Sequence, residues 1–398
     1  MPTPKIAKVA VPGPFLFPLD YLLETEADLL KEPQSQAVVG GRVWVPFRNK
    51  KVMGLVMAIS DSADFAINKI KPISEVIDSQ PILQTSQIAL LNWASHYYHE
   101  PIGEVVMAAL PKRLRAGEEA EINGMQYWQL SEQGKNKTLD DISKRALRQR
   151  AVLKAFLEKP LKSESDLNAE LENWRSSVKK FTEIGWLETT FGPCLRETAY
   201  SETPNHVLNE AQQTAVNSVT GKAVNTSEFK AYLLEGITGS GKTEVYLGMI
   251  QTMLEQGKQV LVLVPEIGLT PQMVQRFEAF LQTRVAALHS GLNDSERHCA
   301  WHLIRTGKIN VLLGTRSAVF TPFKNLGLCI IDEEHDLSYK QQEGFRYSAR
   351  DMIVQRAYRE KVPVVLGSAT PSLETLHNAK TGRYEHLHLK QRAGVAKL

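Results

Sequence analysis

Residues 233 to 250, LLEGITGSGKTEVYLGMI, constrain the fold more than any other stretch. A short apolar run at Leu233-Leu234 leads into Gly236-Ile237-Thr238-Gly239-Ser240-Gly241-Lys242-Thr243, and an amphipathic segment follows. Strand, glycine-rich turn and helix in that order predict the phosphate-binding βα unit of a layered α/β domain. The glycines let successive backbone N–H groups turn toward a phosphate, and the helix adds its positive N-terminal end. Lys242 supplies a point charge to the β- and γ-phosphates, and the Thr243 hydroxyl suits Mg²⁺. Gly236, Thr238, Gly239, Ser240, Gly241 and Glu244 complete the expected nucleotide site.

Downstream, strand-like and helical runs alternate. Gln259–Val264, Val285–Leu288, Ile309–Leu313, Leu328–Ile331 and Val362–Leu366 are near-continuously apolar, with helical stretches such as Pro271 to Phe280 between them. Strands of that kind are buried on both faces, so residues 201–398 are expected to form a parallel sheet covered by helices. The run Leu328-Cys329-Ile330-Ile331 ends in Asp332-Glu333-Glu334-His335. A carboxylate at a strand's C-terminal end, beside the phosphate loop, can hold Mg²⁺, and its neighbour can polarise an attacking water. Lys242, Asp332 and Glu333 are therefore the expected catalytic residues, with Thr243 and Asp332 as metal ligands.

The first half reads differently. In residues 1–106, Val9–Val11, Ala37–Val39, Arg42–Pro46 and Lys51–Ile59 are short β-rich runs, and Gln87–Tyr98 is helical. This predicts a small β-rich domain, barrel-like or mixed. The basic turn at Arg48–Lys51 reads first as a solvated hairpin and second as a phosphate contact. In residues 107–200, a strand at Met125–Leu130 precedes three helices, Arg145–Glu158, Glu164–Leu171 and Trp174–Ile184, which close on a turn and strand at Gly185–Thr189. Three helices ending in a β-wing is the winged-helix pattern, and Arg175, Lys179 and Lys180 lie where a recognition helix carries charge. An interaction module that never touches DNA fits the same pattern equally well.

Net charge is +3 over 398 residues, too small to argue for nucleic acid by itself. Cys194, Cys299 and Cys329 are far apart with no C-x-x-C pair. That spacing argues against a disulfide framework or a zinc site within this chain, and for a reducing cytoplasm. Prolines break the N-terminal segment before it can act as a secretion signal, and no run of about 18 apolar residues occurs, so no membrane partner is expected.

The phosphate loop, Asp332-Glu333-Glu334-His335 and Gly367-Ser368-Ala369-Thr370-Pro371 together resemble the motif set of superfamily 2 helicases. Val264–Pro271, His289–Leu292, Gly314–Ser317 and Tyr339–Tyr347, with VPF at 45–47 and HYYHEPIGEV at 96–105, narrow the resemblance to the PriA family of bacterial primosomal replication-restart helicases. The likeness covers essentially the whole chain. It implies an ATP-dependent 3′–5′ DNA helicase that recognises stalled or abandoned forks and starts primosome assembly, using ATP and Mg²⁺. The implied partners are forked and single-stranded DNA, primosome proteins and single-stranded-DNA-binding protein, in a cytoplasmic, nucleoid-associated setting. Gln212 falls where the family reads adenine, with Gln213 as a competitor. Asp336 to Arg350 would be an aromatic-rich loop that senses DNA. The residue types agree: Tyr339, Phe345 and Tyr347 offer stacking faces, and Lys340, Arg346 and Arg350 offer charge to phosphates. Asp20, Tyr21 and Lys71 match a pocket for the 3′ end of DNA. Leu19 stands where the family commonly has Phe, and Arg48 where Gly often follows, which loosens that match.

The sequence ends at Leu398, whereas the resembled family continues into a second lobe with an arginine finger, a module binding two zinc ions and a C-terminal DNA-binding domain. The expectation is the N-terminal part of such a protein, with zinc only beyond it. The expected domains are a 3′-DNA-end-binding domain at 1–106, a winged helix at 107–200 and a first RecA-like helicase lobe at 201–398. Two rival classes stay open. One is a P-loop ATPase unrelated to nucleic acid, against which Ser368–Pro371 and the aromatic loop stand. The other is a DNA-binding module without helicase activity of its own.

Overall fold

The computed structural model describes residues 5–23, 36–194, 207–221 and 228–392. The N-terminal region builds one antiparallel sheet from β1 (Ile6–Ala10), β2 (Leu19–Leu22), β3 (Arg42–Phe47), β4 (Lys50–Ser60) and β5 (Glu75–Val76), in the order β2-β1-β4-β3-β5. Alternation sends Ala7, Val9, Val43, Val45 and Val56 into one core, joined by Tyr21 and Ile73. Ala37–Val39, expected as a strand, is coil and turn instead, because its groups serve the Gly40-Gly41 bend: the Gly41 N–H donates to the Val38 carbonyl at 2.9 Å. The sequence reading missed β2 and β5, which are too short to show a period of two. The basic segment after β3 is the expected hairpin, with Lys51 paired to Glu75 across it.

Three helices follow, α1 (Thr85–Tyr98), α2 (Ile102–Ala109) and α3 (Lys112–Arg115). Buried Arg42 of β3 ties α3 to the sheet. Its guanidinium grips Asp78 at 2.7 and 2.9 Å and donates to the Leu114 carbonyl at 2.6 Å. A buried charge with its donors satisfied in this way fixes geometry more than it adds stability.

The described chain divides into two compact units, one of residues 1–120, 199–290 and 300–398, the other of 121–198 with 291–299. The smaller unit contains β6 (Met125–Leu130), α4 (Glu132–Lys135), α5 (Leu147–Glu158), β7 (Leu161–Ser163), α6 (Glu164–Glu170), α7 (Arg175–Glu183) and β8 (Leu187–Gly192). Its sheet runs β7-β6-β8, antiparallel, over a core of Leu130, Val152, Phe156, Leu167, Val178, Phe181 and Leu187. A capping box between Ser163 and Asp166 starts α6. The α7 charges have partners: Arg175 reaches Glu164 at 2.6 Å, and Lys179 lies 3.9 Å from Glu183. One expectation is corrected here. Cys194 and Cys299 form a disulfide with Cα atoms 5.4 Å apart. They are 105 residues apart in sequence, and only the return of 291–299 to this unit brings them together, which local spacing cannot reveal.

The larger unit also holds α8 (Glu210–Thr220), β9 (Ala231–Gly236), α9 (Lys242–Glu255), β10 (Gln259–Leu263), α10 (Pro271–Leu281), β11 (Val285–Leu288), the part of α11 (Asp294–Thr306) from residue 300 on, β12 (Val311–Gly314), β13 (Leu326–Ile331), α12 (Ala349–Glu360), β14 (Val364–Ser368), α13 (Leu373–Lys380) and β15 (Glu385–Leu389). The seven strands β9 to β15 pair in parallel, in the order β11-β12-β10-β13-β14-β9-β15. Every residue of β10, β12 and β13 is buried, as helices on both faces require. The phosphate loop leaves β9 and Asp332 leaves β13, so both emerge at the C-terminal edge of the sheet, where open α/β sheets bind ligands. No described helix is long and apolar enough to cross a membrane.

Candidate active site

The loop from Ile237 to Thr243 encloses a cavity of about 640 Å³ together with Val207, Leu208, Asn209, Gln212, Glu244, Arg276, Asp332 and Glu333. Gly241 sits at φ +83, directly before α9, in the left-handed region that L side chains rarely adopt. The Ser240 hydroxyl is buried with no hydrogen-bond partner among the described residues. An orphaned donor inside a glycine-rich turn at a helix N-terminus fits a polyanionic ligand. The donor set also fits Mg²⁺: the Thr243 hydroxyl and the Asp332 carboxylate are oxygen ligands for a hard cation.

Gln212 is the better placed of the two candidates. It is 3% exposed, lines the cavity and donates from Nε2 to the Ser240 carbonyl at 3.1 Å. Its Oε1 accepts from the Asn209 N–H, closing a capping box at the start of α8. Gln213 is exposed and bonds Asn217 along its own helix.

Lys242 Nζ donates to the Gly236 carbonyl at 3.0 Å and lies 3.2 Å from Glu333 Oε1. The lysine and the proposed base thus hold each other. Asp332 Oδ1 accepts from the Tyr246 hydroxyl at 2.9 Å, and the Asp332 backbone carbonyl accepts from the Tyr339 hydroxyl at 2.6 Å. Burial pushes the Asp332 carboxyl above its ordinary value, and the Glu333 charge adds to the shift. Tyr246 fits only because residue 367 is glycine; a Cβ there would meet its hydroxyl at 1.6 Å. Glu333 itself holds φ +43, backbone strain at a residue whose chemistry needs a fixed direction.

Behind these residues runs a buried polar network. Glu334 is enclosed and accepts from the Ser372 N–H at 2.6 Å, the Thr375 hydroxyl at 2.9 Å and Arg350 at 3.3 Å. His335 Nδ1 lies 2.8 Å from the Ser368 hydroxyl, which links the β13 turn to the Ser-Ala-Thr segment. Four expectations are corrected by this packing. Tyr339, Phe345 and Tyr347 are 2%, 5% and 5% exposed, so they offer no face to a base. Phe345 instead packs edge-on against Tyr98 of α1 at 5.7 Å, and Tyr347 against Phe320 at 5.0 Å. Arg350 turns inward to Glu334 and Ser372 rather than toward a phosphate. The apolar rings gain more from burial than a solvent-facing loop would allow. Lys340 and Arg346 remain exposed.

The N-terminal candidates are corrected in part. Tyr21 is packed in the sheet core, and the Asp20 carboxylate is enclosed beside Lys8 at 2.8 Å, with the Asp64 N–H donating to it at 2.6 Å. Only Lys71 is exposed, and its carbonyl holds the Leu22 N–H at 3.0 Å. The sequence reading overlooked Arg276, Tyr246 and Glu334. The first pairs with Glu244 at the cavity wall, and no local motif marks it.

Residues 8–111 match the family model of the 3′DNA-binding domain (3′BD) of PriA, and residues 209–379 that of the DEAD/DEAH box helicases. The replication restart protein PriA of Haemophilus influenzae is 39% identical over 98% of this chain and 52% of its own length. Its counterparts in Bacillus subtilis (31% identity, 89% of this chain, 52% of that one) and Chlamydia pneumoniae (37%, 90% and 48%) are also similar. The chain spans about half the length of the curated relatives it matches. With both matches side by side in one sequence, the chain is similar to the replication restart protein PriA over a stretch that pairs a match to its 3′DNA-binding domain with a match to the DEAD/DEAH box helicases.

Proposed function

We propose that this chain is the nucleotide-binding and DNA-end-binding portion of an ATP-dependent 3′–5′ DNA helicase that acts at stalled forks and starts primosome assembly. The observation that carries the reading is one cavity walled by Lys242, Thr243, Asp332, Glu333 and Gln212. ATP is the substrate, and Mg²⁺ would be held by Thr243 and Asp332. The triphosphate draws Lys242 away from Glu333 and the Gly236 carbonyl, because a phosphate is a stronger partner than either. Glu333, so released, is free to orient the attacking water. Gln212 reads the base while keeping Ser240 in register.

The DNA contacts proposed are Lys71, Lys340 and Arg346, which are exposed. The aromatic loop acts as a relay in this reading. Tyr98 of α1 touches Phe345, and its hydroxyl accepts the Ser348 N–H at 3.2 Å; Tyr339 at the other end of the loop touches Asp332. DNA bound by the N-terminal region can thereby bias the metal ligand. We assign three domains in the expected order, the first boundary moved from 106 to 120 because a break at 106 would cut α2, and the middle one a winged helix, supported by its three helices and small antiparallel sheet. Primosome proteins and single-stranded-DNA-binding protein are the proposed protein partners, as the resemblance of the sequence motifs implies.

The test is ATP turnover by the protein with and without single-stranded and forked DNA, beside strand displacement on a 3′-tailed duplex. DNA-stimulated turnover that disappears in Lys242→Ala, with fork binding retained, supports the reading. Turnover indifferent to DNA would place the protein among P-loop ATPases that do not act on nucleic acid.

A further inference from the structure

β15 is the edge strand of the parallel sheet, in register with β9: His386 pairs with Leu233 and His388 with Glu235. Strand alternation decides which way their side chains go. Tyr232 and Leu234 of β9 and Leu387 and Leu389 of β15 join the core on one face. Glu235, His386 and His388 therefore share the other face. Their ligating atoms all lie within 4.8 Å of one another, and theirs is the one such three-residue group among the described residues. His386 Nε2 is 2.7 Å and His388 Nδ1 3.6 Å from Glu235 Oε2, and the two rings lie 3.7 Å apart. Glu235 and His386 are half-buried and His388 is exposed, so water can complete a coordination sphere.

We propose that Glu235, His386 and His388 form a site for a divalent transition-metal ion of the Zn²⁺ type, clamping the edge strand to the strand that enters the phosphate loop. Two imidazoles and one carboxylate are the donors such ions favour, whereas Mg²⁺ and Ca²⁺ prefer oxygen alone. Register on two hydrogen-bonded strands preorganises the three ligands, so little ordering remains on binding. Glu235 and Gly236 end β9, and Ile237, the next residue, begins the loop that lines the nucleotide cavity. An ion here braces that root from outside the cavity and touches no group assigned to ATP.

The test uses Zn²⁺ alone as probe, on the 398-residue chain freed of metal with a chelator. One equivalent binds, and the thermal midpoint rises with metal concentration, as linkage requires. His386→Gln, His388→Gln and Glu235→Gln each weaken binding by roughly tenfold or more, as loss of a ligand should exceed loss of a ligand's own hydrogen-bond partner. Co²⁺ in place of Zn²⁺ gives visible ligand-field bands without thiolate charge transfer, which separates this site from any cysteine site. Carbethoxylation of the unmutated chain supplies a check independent of folding in the variants: Zn²⁺ protects His386 and His388 but not His377. Unchanged affinity in all three variants, no saturable binding below millimolar Zn²⁺, or equal labelling of the three histidines with and without metal would each overturn the proposal.

Discussion

The phosphate loop and the aromatic loop make a useful pair, since both were read as functional surfaces and the fold treats them in opposite ways. Ile237–Glu244 lines an open cavity. Tyr339–Arg350 turns its rings and its last arginine inward, against Tyr98, Phe320, Asp332 and Glu334. The difference lies in what each loop offers. A phosphate loop works through backbone N–H groups, and those stay unsatisfied until a ligand arrives. An aromatic ring is satisfied by any apolar neighbour, so a nearby helix such as α1 can claim it before a base does.

The largest effect expected from this contrast is at Lys242. Lys242→Ala should lower ATP turnover by on the order of 10³-fold or more, the scale on which a lost positive charge acts at a transferring phosphoryl group. Fork binding should be unchanged in the same preparations.

Tyr347→Ala should act on the fold rather than on DNA. A buried aromatic cut to alanine costs about 3–5 kcal/mol, read as a lower denaturation midpoint in nucleotide-free, DNA-free protein. A variant of wild-type stability with weakened DNA affinity would restore the ring to the DNA surface.

Asp332→Asn sharpens the other side. The folded-state value of the Asp332 carboxyl is raised, so its contribution to stability is present below the unfolded value and lost as pH rises through the folded one. At pH 7.5 the ionised group is a net cost to the nucleotide-free fold. The asparagine variant should melt higher than wild type there, with the gain vanishing toward about pH 4, and should lose Mg²⁺-dependent nucleotide binding. Equal melting at both pH values would remove the burial argument.

Tyr98→Phe is the smallest change. It deletes the acceptor of the Ser348 N–H and should cost about 0.5–1.5 kcal/mol by denaturant titration. Under the relay reading, DNA stimulation of turnover falls more than the basal rate.

The sheet of the larger unit was legible in the sequence because its strands are apolar on both faces: the runs at 259–264, 285–288, 309–313, 328–331 and 362–366 each became a strand. β15 was not, since His386 and His388 alternate with leucine in a strand covered on one face only. Lys242 and Asp332 line one cavity because a phosphate loop and a strand end both open on the crevice above the sheet; Gln212, which only the resemblance singled out, lines it from α8. The burial of Tyr21, Tyr339, Phe345 and Tyr347 was hidden, as was the Cys194–Cys299 pair. Each depends on partners far away in sequence, and residue type alone does not choose between a ring that stacks and a ring that packs.

Hydrogen exchange with and without saturating Mg·ADP tests the central claim most directly, with saturation verified by calorimetry on the same protein. The account predicts slowed exchange at the amides of Gly239 to Glu244 and at Asp332–Glu333, with the amides of Gln341 and Ser348, which donate to the Tyr347 carbonyl and the Tyr98 hydroxyl, already slow before nucleotide is added. Saturation with no slowing at Gly239–Glu244, or fast exchange at Gln341 and Ser348 in the free protein, would contradict it.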